Sequence, residues 1–392
     1  MQIEETLQPS IIVGSMLIDT AVVAAVFLGA RQWDEHRRSF KVGLEQVSVV
    51  VLVTSFAFIA KLVPLTALGL NLFGMINLVY LDLMILPPAT AIVLFALSAA
   101  RVREQKPIWL TPSTRFLSLL ALAVVPIGIF SSWVEPFRLQ LETARVPLPS
   151  ARQGRAPIRV GVIADLQTSR ITDYERSAVD RLMATKPDLI LLPGDLFQGS
   201  DADFAANRDD LTELLGRLSA PGGVYYVYGD VDRGHYELEQ TIRAAGIVPL
   251  VNEVAHTTVG ERRITIGGVE LDTTTRGATE TIDALESEPG DEDIRILVAH
   301  RPDVAFRLSA RSRVDLVTAG HTHGGQIVIP GFGPPMTLSR VPRTVAAGGL
   351  HTLFGNRLYV SRGVGCERGQ APRIRFLCPP EITLLELAND GS

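Results

Sequence analysis

The stretch Gly320-His321-Thr322-His323-Gly324-Gly325-Gln326 places two imidazoles one residue apart, directly after the largely apolar run 314–319. A neutral imidazole offers one donor and one acceptor nitrogen, and two of them at i and i+2 on a short turn converge more naturally on metal ions than on a core. Taken alone, the pair is also compatible with a hydrogen-bonded surface turn. Three further apolar runs, 159–165, 188–195 and 224–230, end in the carboxylates Asp165, Asp195 and Asp230, and a fourth, 294–300, ends in His300. Oxygen and nitrogen donors without a thiolate suit a hard or borderline pair of divalent ions such as Mn, Fe, Zn or Mg.

Short β-rich runs separated by helix-length polar segments predict buried strands of an α/β sheet, with the ligand crevice at the carboxyl ends of the strands. Asp165, Asp195, Asp230, His300, His321 and His323 would then share one rim. Amphipathic helices are predicted near 174–185, 209–218, 238–245, 279–286 and 303–309, with later strands at 262–270 and 381–387. A domain of about 200 residues can bury one full core.

In this order the residues resemble the calcineurin-like metallophosphoesterases, in particular their membrane-anchored bacterial branch. That pattern, Asp-x-His, Gly-Asp, Gly-Asn-His-(Asp/Glu), an isolated His and Gly-His-x-His, is matched by Asp165-Leu166-Gln167, Gly194-Asp195, Gly229-Asp230-Val231-Asp232, His300 and Gly320-His321-Thr322-His323. The resemblance covers residues 159–387. It implies a four-layer α/β sandwich and two divalent metal ions, one on Asp165, position 167, Asp195 and His323. The other would lie on Asp195, position 230, His300 and His321, with Asp195 bridging. It also implies hydrolysis of phosphoester or pyrophosphate bonds by two-metal hydroxide attack, with no covalent phosphoenzyme.

Three positions depart from the family pattern. Gln167 replaces a metal-binding histidine with a neutral amide, a weaker donor. Asp230 replaces an asparagine and adds a negative charge to the second ligand set, favouring a harder cation. Val231 stands where the family has its catalytic histidine, and loss of a positioned general acid forfeits about 10²- to 10⁴-fold in rate. Either the substrate's leaving group needs little protonation, or another donor stands in. His235 and Arg233 are the nearest candidates, and both are also compatible with a solvated helix start. Arg301 and Arg362 are candidate clamps for phosphate oxygens. A different outcome is a weakened site that binds or senses a phosphorylated envelope ligand without turnover.

The first third of the chain is a different material. It accounts for a mean hydropathy of +0.24. Residues 11–30, 47–68, 72–100 and 116–134 are each predicted to cross a membrane, about 20 apolar residues being enough for the hydrocarbon core. Pro87 and Pro88 would kink the third span. A cleaved signal peptide fits the first segment poorly, because Glu4 and Glu5 precede it in place of basic residues. Arg31, Arg37, Arg38 and Lys41 follow the first span and Arg101, Arg103, Lys106 and Arg115 the third, so those loops are assigned to the cytoplasm. Four spans then put the phosphoesterase part outside the cytoplasmic membrane. Within the spans, Lys61 is predicted to pair with Asp19 or Asp82, or to line a polar conduit for a lipid head group.

The predicted organisation is therefore a transmembrane helical region at 1–135, a linker at 136–157 and a metallophosphoesterase domain at 158–388. Arg138, Arg145, Arg152 and Arg155 in the linker are assigned either to anionic lipid heads or to a solvated tether. Cys366 and Cys378 are read either as a disulfide or as a pair of free buried thiols. The predicted partners are the lipid bilayer and a phosphorylated small molecule or lipid. A net charge of −5 gives no footing for nucleic acid.

Overall fold

A computed structural model of the chain describes residues 9–32, 59, 61, 66–67, 69–103, 112–152, 156–232 and 237–389. It divides into two compact units, one formed by residues 5–131 with 368–372 and the other by 1–4, 132–367 and 373–392.

In the larger unit, β-rich runs become strands of two six-stranded sheets. Residues Gln140–Leu148 (β1), Ile158–Val162 (β2), Leu189–Leu192 (β3), Val224–Tyr226 (β4), Val248–Pro249 (β5) and Glu381–Asn389 (β12) form one sheet in the order β1-β12-β2-β3-β4-β5. The other holds Glu253–Val259 (β6), Arg262–Gly268 (β7), Ile294–Val298 (β8), Leu316–Ala319 (β9), Gly349–Leu353 (β10) and Asn356–Val360 (β11), in the order β10-β11-β9-β8-β7-β6. The strands β2 to β5 run parallel, as do β7, β8, β9 and β11. Parallel strands carrying Val, Ile and Leu on both faces must be covered twice. One core holds residues of both sheets, including Val160, Leu191, Ile266, Ile296 and Leu316. The opposite faces are closed by helices. Ile190 and Leu192 pack with Ala178, Leu182, Leu211 and Leu214, while Leu297 and Val317 pack with Ala278, Ile282 and Leu285. The four layers are thus helix, sheet, sheet and helix.

Helix starts are set by side-chain caps. Thr172 and Glu175 form a capping box before the helix Asp173–Ala184, and Ser200 and Asp203 form another before Asp201–Gly216. The second box starts that helix eight residues ahead of the predicted 209, and its signal is the segment Ser-Asp-Ala-Asp at 200–203. The predicted helix at 303–309 is instead a 3-10 turn, Pro302–Arg307, opening on a proline.

The predicted linker is corrected by β1. Its nine residues pair parallel with β12 in unbroken register from Gln140–Glu381 to Leu148–Asn389. Val146 and Leu148 are buried in the inter-sheet core. Alternation of small, charged and apolar residues in 140–148 is a half-buried edge-strand pattern that the flanking prolines obscured. Arg152 touches no solvated tether either: it pairs with buried Asp315 and donates to the Arg313 carbonyl at 2.9 Å. Burial of the Val146 and Leu148 side chains contributes roughly 3–6 kcal/mol. A truncation beginning at Ile158 is therefore expected to lose the domain's cooperative melting transition or to aggregate through the bared edge of β12, whereas one beginning at Ser132 keeps a sharp transition; differential scanning calorimetry of the two decides it.

The smaller unit contains the helices Pro9–Gln32, Leu72–Arg103 and Pro112–Ile129. Two stretches among the described residues are long and apolar enough to cross a membrane, Leu72–Ala89 and Leu119–Phe137, and a shorter apolar helix covers Ile11–Ala21. The predicted second span at 47–68 lies almost wholly outside the described residues, so the fourfold count is not displayed. Helix Leu72–Arg103 continues through Pro87 and Pro88. Lys61 makes both of its predicted pairs at once: it touches Asp19, sits 3.0 and 3.1 Å from the two Asp82 oxygens, and donates to Ser15 Oγ at 3.1 Å. In the same unit Gln370 holds the chain around Gly69 and Asn71, accepting from Asn71 N and donating to Gly69 O, each at 2.9 Å.

Candidate metal centre

The carboxylates come from one sheet and the imidazoles from the other. Asp165 and Gln167 follow β2, Asp195 follows β3 and Asp230 follows β4, whereas His300 follows β8 and His321 and His323 follow β9. Two cross-sheet bonds lock the halves together. The His321 amide donates to Asp165 Oδ1 at 2.9 Å, and His300 Nδ1 lies 2.7 Å from the Pro193 carbonyl. If that nitrogen carries the proton, Nε2 is left as the lone-pair donor facing the carboxylates.

The chain turns sharply at each strand end. Asp165, Gln167, Asp195, His321 and His323 all have left-handed backbone, with φ of 47°, 40°, 56°, 72° and 47°. Such conformations cost non-glycine residues and persist where the surroundings impose them. Here the Gln167 amide donates to Asp195 O at 2.8 Å and the Gly320 amide to His300 O at 2.9 Å. Gly194, at φ 89°, has no alternative residue, because a Cβ there would lie 2.5 Å from Gly229 N. Asp232, wholly buried, takes the amides of Asp195, Leu196 and Gly229 at 2.6, 2.8 and 2.8 Å and the Tyr226 hydroxyl at 2.6 Å. It fixes the Asp195 turn without facing the donors, and its place two residues after Asp230 was the available clue.

Two donor groups result. Asp165, Asp195 and His300 have ligand atoms within 4.8 Å of one another, as do Asp230, His300 and His321. His300 Nε2 joins them, 3.3 Å from Asp195 Oδ2 and 3.4 Å from Asp230 Oδ2 without hydrogen-bond alignment to either. His321 Nδ1 is 2.9 Å from Asp230 Oδ2. In this geometry His300 is common to both groups, and Asp195 Oδ2 lies 3.3 Å from its Nε2. Both ring nitrogens of His323 are buried without a hydrogen-bond partner, an arrangement that costs energy in an apo core and is satisfied by a cation. A donor set of carboxylates and imidazoles with such orphaned nitrogens fits divalent ions. Gln167 is fully buried beside Asp165, with its Nε2 donating to Gln198 Oε1 at 2.9 Å and Glu367 Oε2 at 3.3 Å.

Charge adjusts to this crowding. Burial pushes Asp165 up to about 8, opposed by His300 and reinforced by Asp195. Burial acts to raise Asp195 too, but the charge of His300 beside it, with the Val231 amide, overcomes it and holds the carboxyl below its ordinary value. His300 would be neutralised by burial, yet Asp195, Asp230 and Asp165 raise it well above the ordinary imidazole range. His323 is pushed down to about 3 by burial and by the Arg375 charge. Ligation needs Asp165 ionised and His300 neutral, so a metal displaces protons that both hold in the metal-free protein. Apparent affinity is therefore expected to rise with pH through about 8, where Asp165 ionises, and onward until His300 has given up its proton, and His323, neutral throughout, adds no slope. Titrating Mn at several pH values by calorimetry in buffers of unequal ionisation enthalpy measures the released protons; a pH-independent affinity would sink this account.

The remaining predicted groups separate. Arg301 reaches the site through Asp230, with Nε 3.2 Å from Oδ2 and Nη2 on Oδ1, so the extra charge of Asp230 is matched by a forked guanidinium. Arg362 is no clamp: Glu142 at 2.5 Å and buried Glu381 at 2.6 Å hold it. Val231 is 9% exposed, and its amide donates to Asp195 Oδ1 at 3.0 Å. His235 and Arg233 lie outside the described residues. Cys366 and Cys378 are free and buried, not bridged, and the Cys378 thiol faces the His323 carbonyl at 3.4 Å.

Comparison with known proteins agrees with this geometry. The sequence profile of the calcineurin-like phosphoesterases matches residues 158–325. Phosphodiesterase YaeI of Escherichia coli (strain K12) is 29% identical over 288 residues, covering 70% of this chain and 98% of its own. The uncharacterized metallophosphoesterase YkuE of Bacillus subtilis (strain 168) is 28% identical over 66% of this chain and 88% of its own. An uncharacterized metallophosphoesterase of Aquifex aeolicus (strain VF5) is 28% identical over 68% of this chain and 98% of its own. With its donors gathered at the carboxyl ends of two facing sheets, the part of the chain at 158–325 is a calcineurin-like phosphoesterase domain.

Proposed function

We propose that the protein is a membrane-anchored, metal-dependent hydrolase of phosphodiester or pyrophosphate linkages in lipid or cell-envelope compounds. The observation that carries this reading is the meeting of Asp165, Asp195, Asp230, His300 and His321 in two donor groups that share His300. Asp165, Gln167, Asp195 and His323 would hold one ion, and Asp195, Asp230, His300 and His321 the other. Divalent ions bound there supply Lewis-acid activation of water and neutralise charge on phosphoryl oxygens. The protein's own groups do the rest. Asp232 fixes the Asp195 turn, and Asp230 anchors Arg301 so that a guanidinium stands ready for a phosphoryl oxygen. Val231 has no proton to give, so among the described residues of this loop no side chain protonates the departing oxygen, which favours aryl or phosphoanhydride leaving groups. The name of the YaeI relative supports a diester substrate.

Membrane anchoring rests on the apolar helices Leu72–Ala89 and Leu119–Phe137 and on the basic loops after residues 30 and 100. That loop asymmetry supports the cytoplasmic membrane, with the domain beginning near Ser132 on its outer face. Full-length protein in detergent with Mn is expected to cleave bis-aryl phosphodiesters and to stop on chelation. Val231 is the observation favouring the second reading, a weakened site that only binds a phosphorylated ligand. Tight inorganic phosphate binding with no turnover on any aryl diester or pyrophosphate would establish that reading over the first.

A further inference from the structure

Gln167 occupies a ligand position with a side chain whose two ends differ chemically: only the amide oxygen can hold a cation, while the NH₂ group repels one. An imidazole in its place needs no such choice of end, so the substitution creates an orientation problem. The neighbours solve it. Gln167 Nε2 donates to Gln198 Oε1 at 2.9 Å and to Glu367 Oε2 at 3.3 Å, and Gln198 Nε2 donates to Glu367 Oε1 at 3.3 Å. An ionised carboxylate only accepts. Glu367 therefore fixes Gln198 with its nitrogen toward the carboxylate and its oxygen toward Gln167, and both acceptors then draw the Gln167 nitrogen to their side. Gln326 in turn fixes Glu367, its Oε1 accepting the Glu367 amide at 2.9 Å. Glu367 itself belongs to neither donor group.

Resting on the metal-pair reading above, we propose that Glu367 is a positioning residue for the first metal: through Gln198 and directly, it commits the Gln167 nitrogen elsewhere and leaves the amide oxygen as the end presented to the ion. Glu367→Gln keeps the size but replaces a one-way acceptor with a group that donates or accepts, so both neighbouring amides lose their assigned direction.

The test is the number of Mn ions retained per chain by full-length protein, read by plasma mass spectrometry across a Mn titration. Wild type is expected to take two, and Glu367→Gln to bind one as before and the other about 10- to 100-fold more weakly. Adding Gln167→His to that variant is expected to bring the second ion back, because a ring nitrogen needs no carboxylate to choose its end; a merely structural role for Glu367 would not be rescued this way. Unchanged retention of two ions in Glu367→Gln, or failure of Gln167→His to restore the weakened site, overturns the positioning role alone. A wild-type protein that never takes more than one ion overturns the metal pair and this role with it.

Discussion

Val231→His is expected to raise turnover of alkyl phosphodiesters by about 10²- to 10⁴-fold, the usual range for a positioned general acid, and to leave aryl diesters nearly unchanged. The contrast follows from the leaving group: an alkoxide needs a proton as it departs, whereas an aryloxide or a phosphate carries its own charge. Val231 sits where an imidazole would be held, its amide tied to Asp195 Oδ1 at 3.0 Å in the turn that Asp232 fixes. Fitting a larger ring into a 9% exposed position costs roughly 1–3 kcal/mol of stability. Val231→Gln imposes a similar volume without a titratable proton, so it separates packing from proton transfer. Equal gains in both variants, or equal gains on both ester classes, would show that the missing imidazole is not what limits the enzyme.

Asp195→Ala is expected to lower metal-dependent turnover by roughly 10³-fold or more, since metal-ion stabilisation amounts to several kcal/mol and each factor of ten to about 1.4. Its carboxylate reaches His300 Nε2 with one oxygen and the Val231 amide with the other, so its loss removes a ligand and loosens the next turn. Mn titration of the same variant tells the two effects apart: lost occupancy means a ligand role, and lost rate at full occupancy a purely electrostatic one. Activity surviving the substitution at a tenth of wild type or better would contradict the site.

The donors were legible in the sequence because each stands at the end of a buried parallel strand, and apolar runs that stop in Asp or His mark both the element and its tip. The runs ending in Asp165, Asp195, Asp230 and His300, and the Gly-His-Thr-His segment, all reach one place. What escaped had no such signature. Glu367 lies about 200 residues from Gln167 in sequence, and nothing local announces that a carboxylate governs that amide. Asp232 reads as another acidic residue until its four hydrogen bonds are seen. β1 was missed because its partner is the last strand of the chain, so its meaning as a strand is wholly non-local. Arg362 looked like a clamp by position, and only packing reveals the two glutamates that hold it.

The left-handed turns at Asp165, Gln167, Asp195, His321 and His323 carry one more consequence. Five unfavourable dihedral states are enforced by amide bonds and by glycine contacts made between the protein's own groups, so exchange of one divalent ion for another should require no backbone rearrangement. Selectivity among cations then falls to ionic radius and to supply in the surrounding compartment. Loading with Mn, Zn or Mg should accordingly leave amide hydrogen exchange in these loops alike.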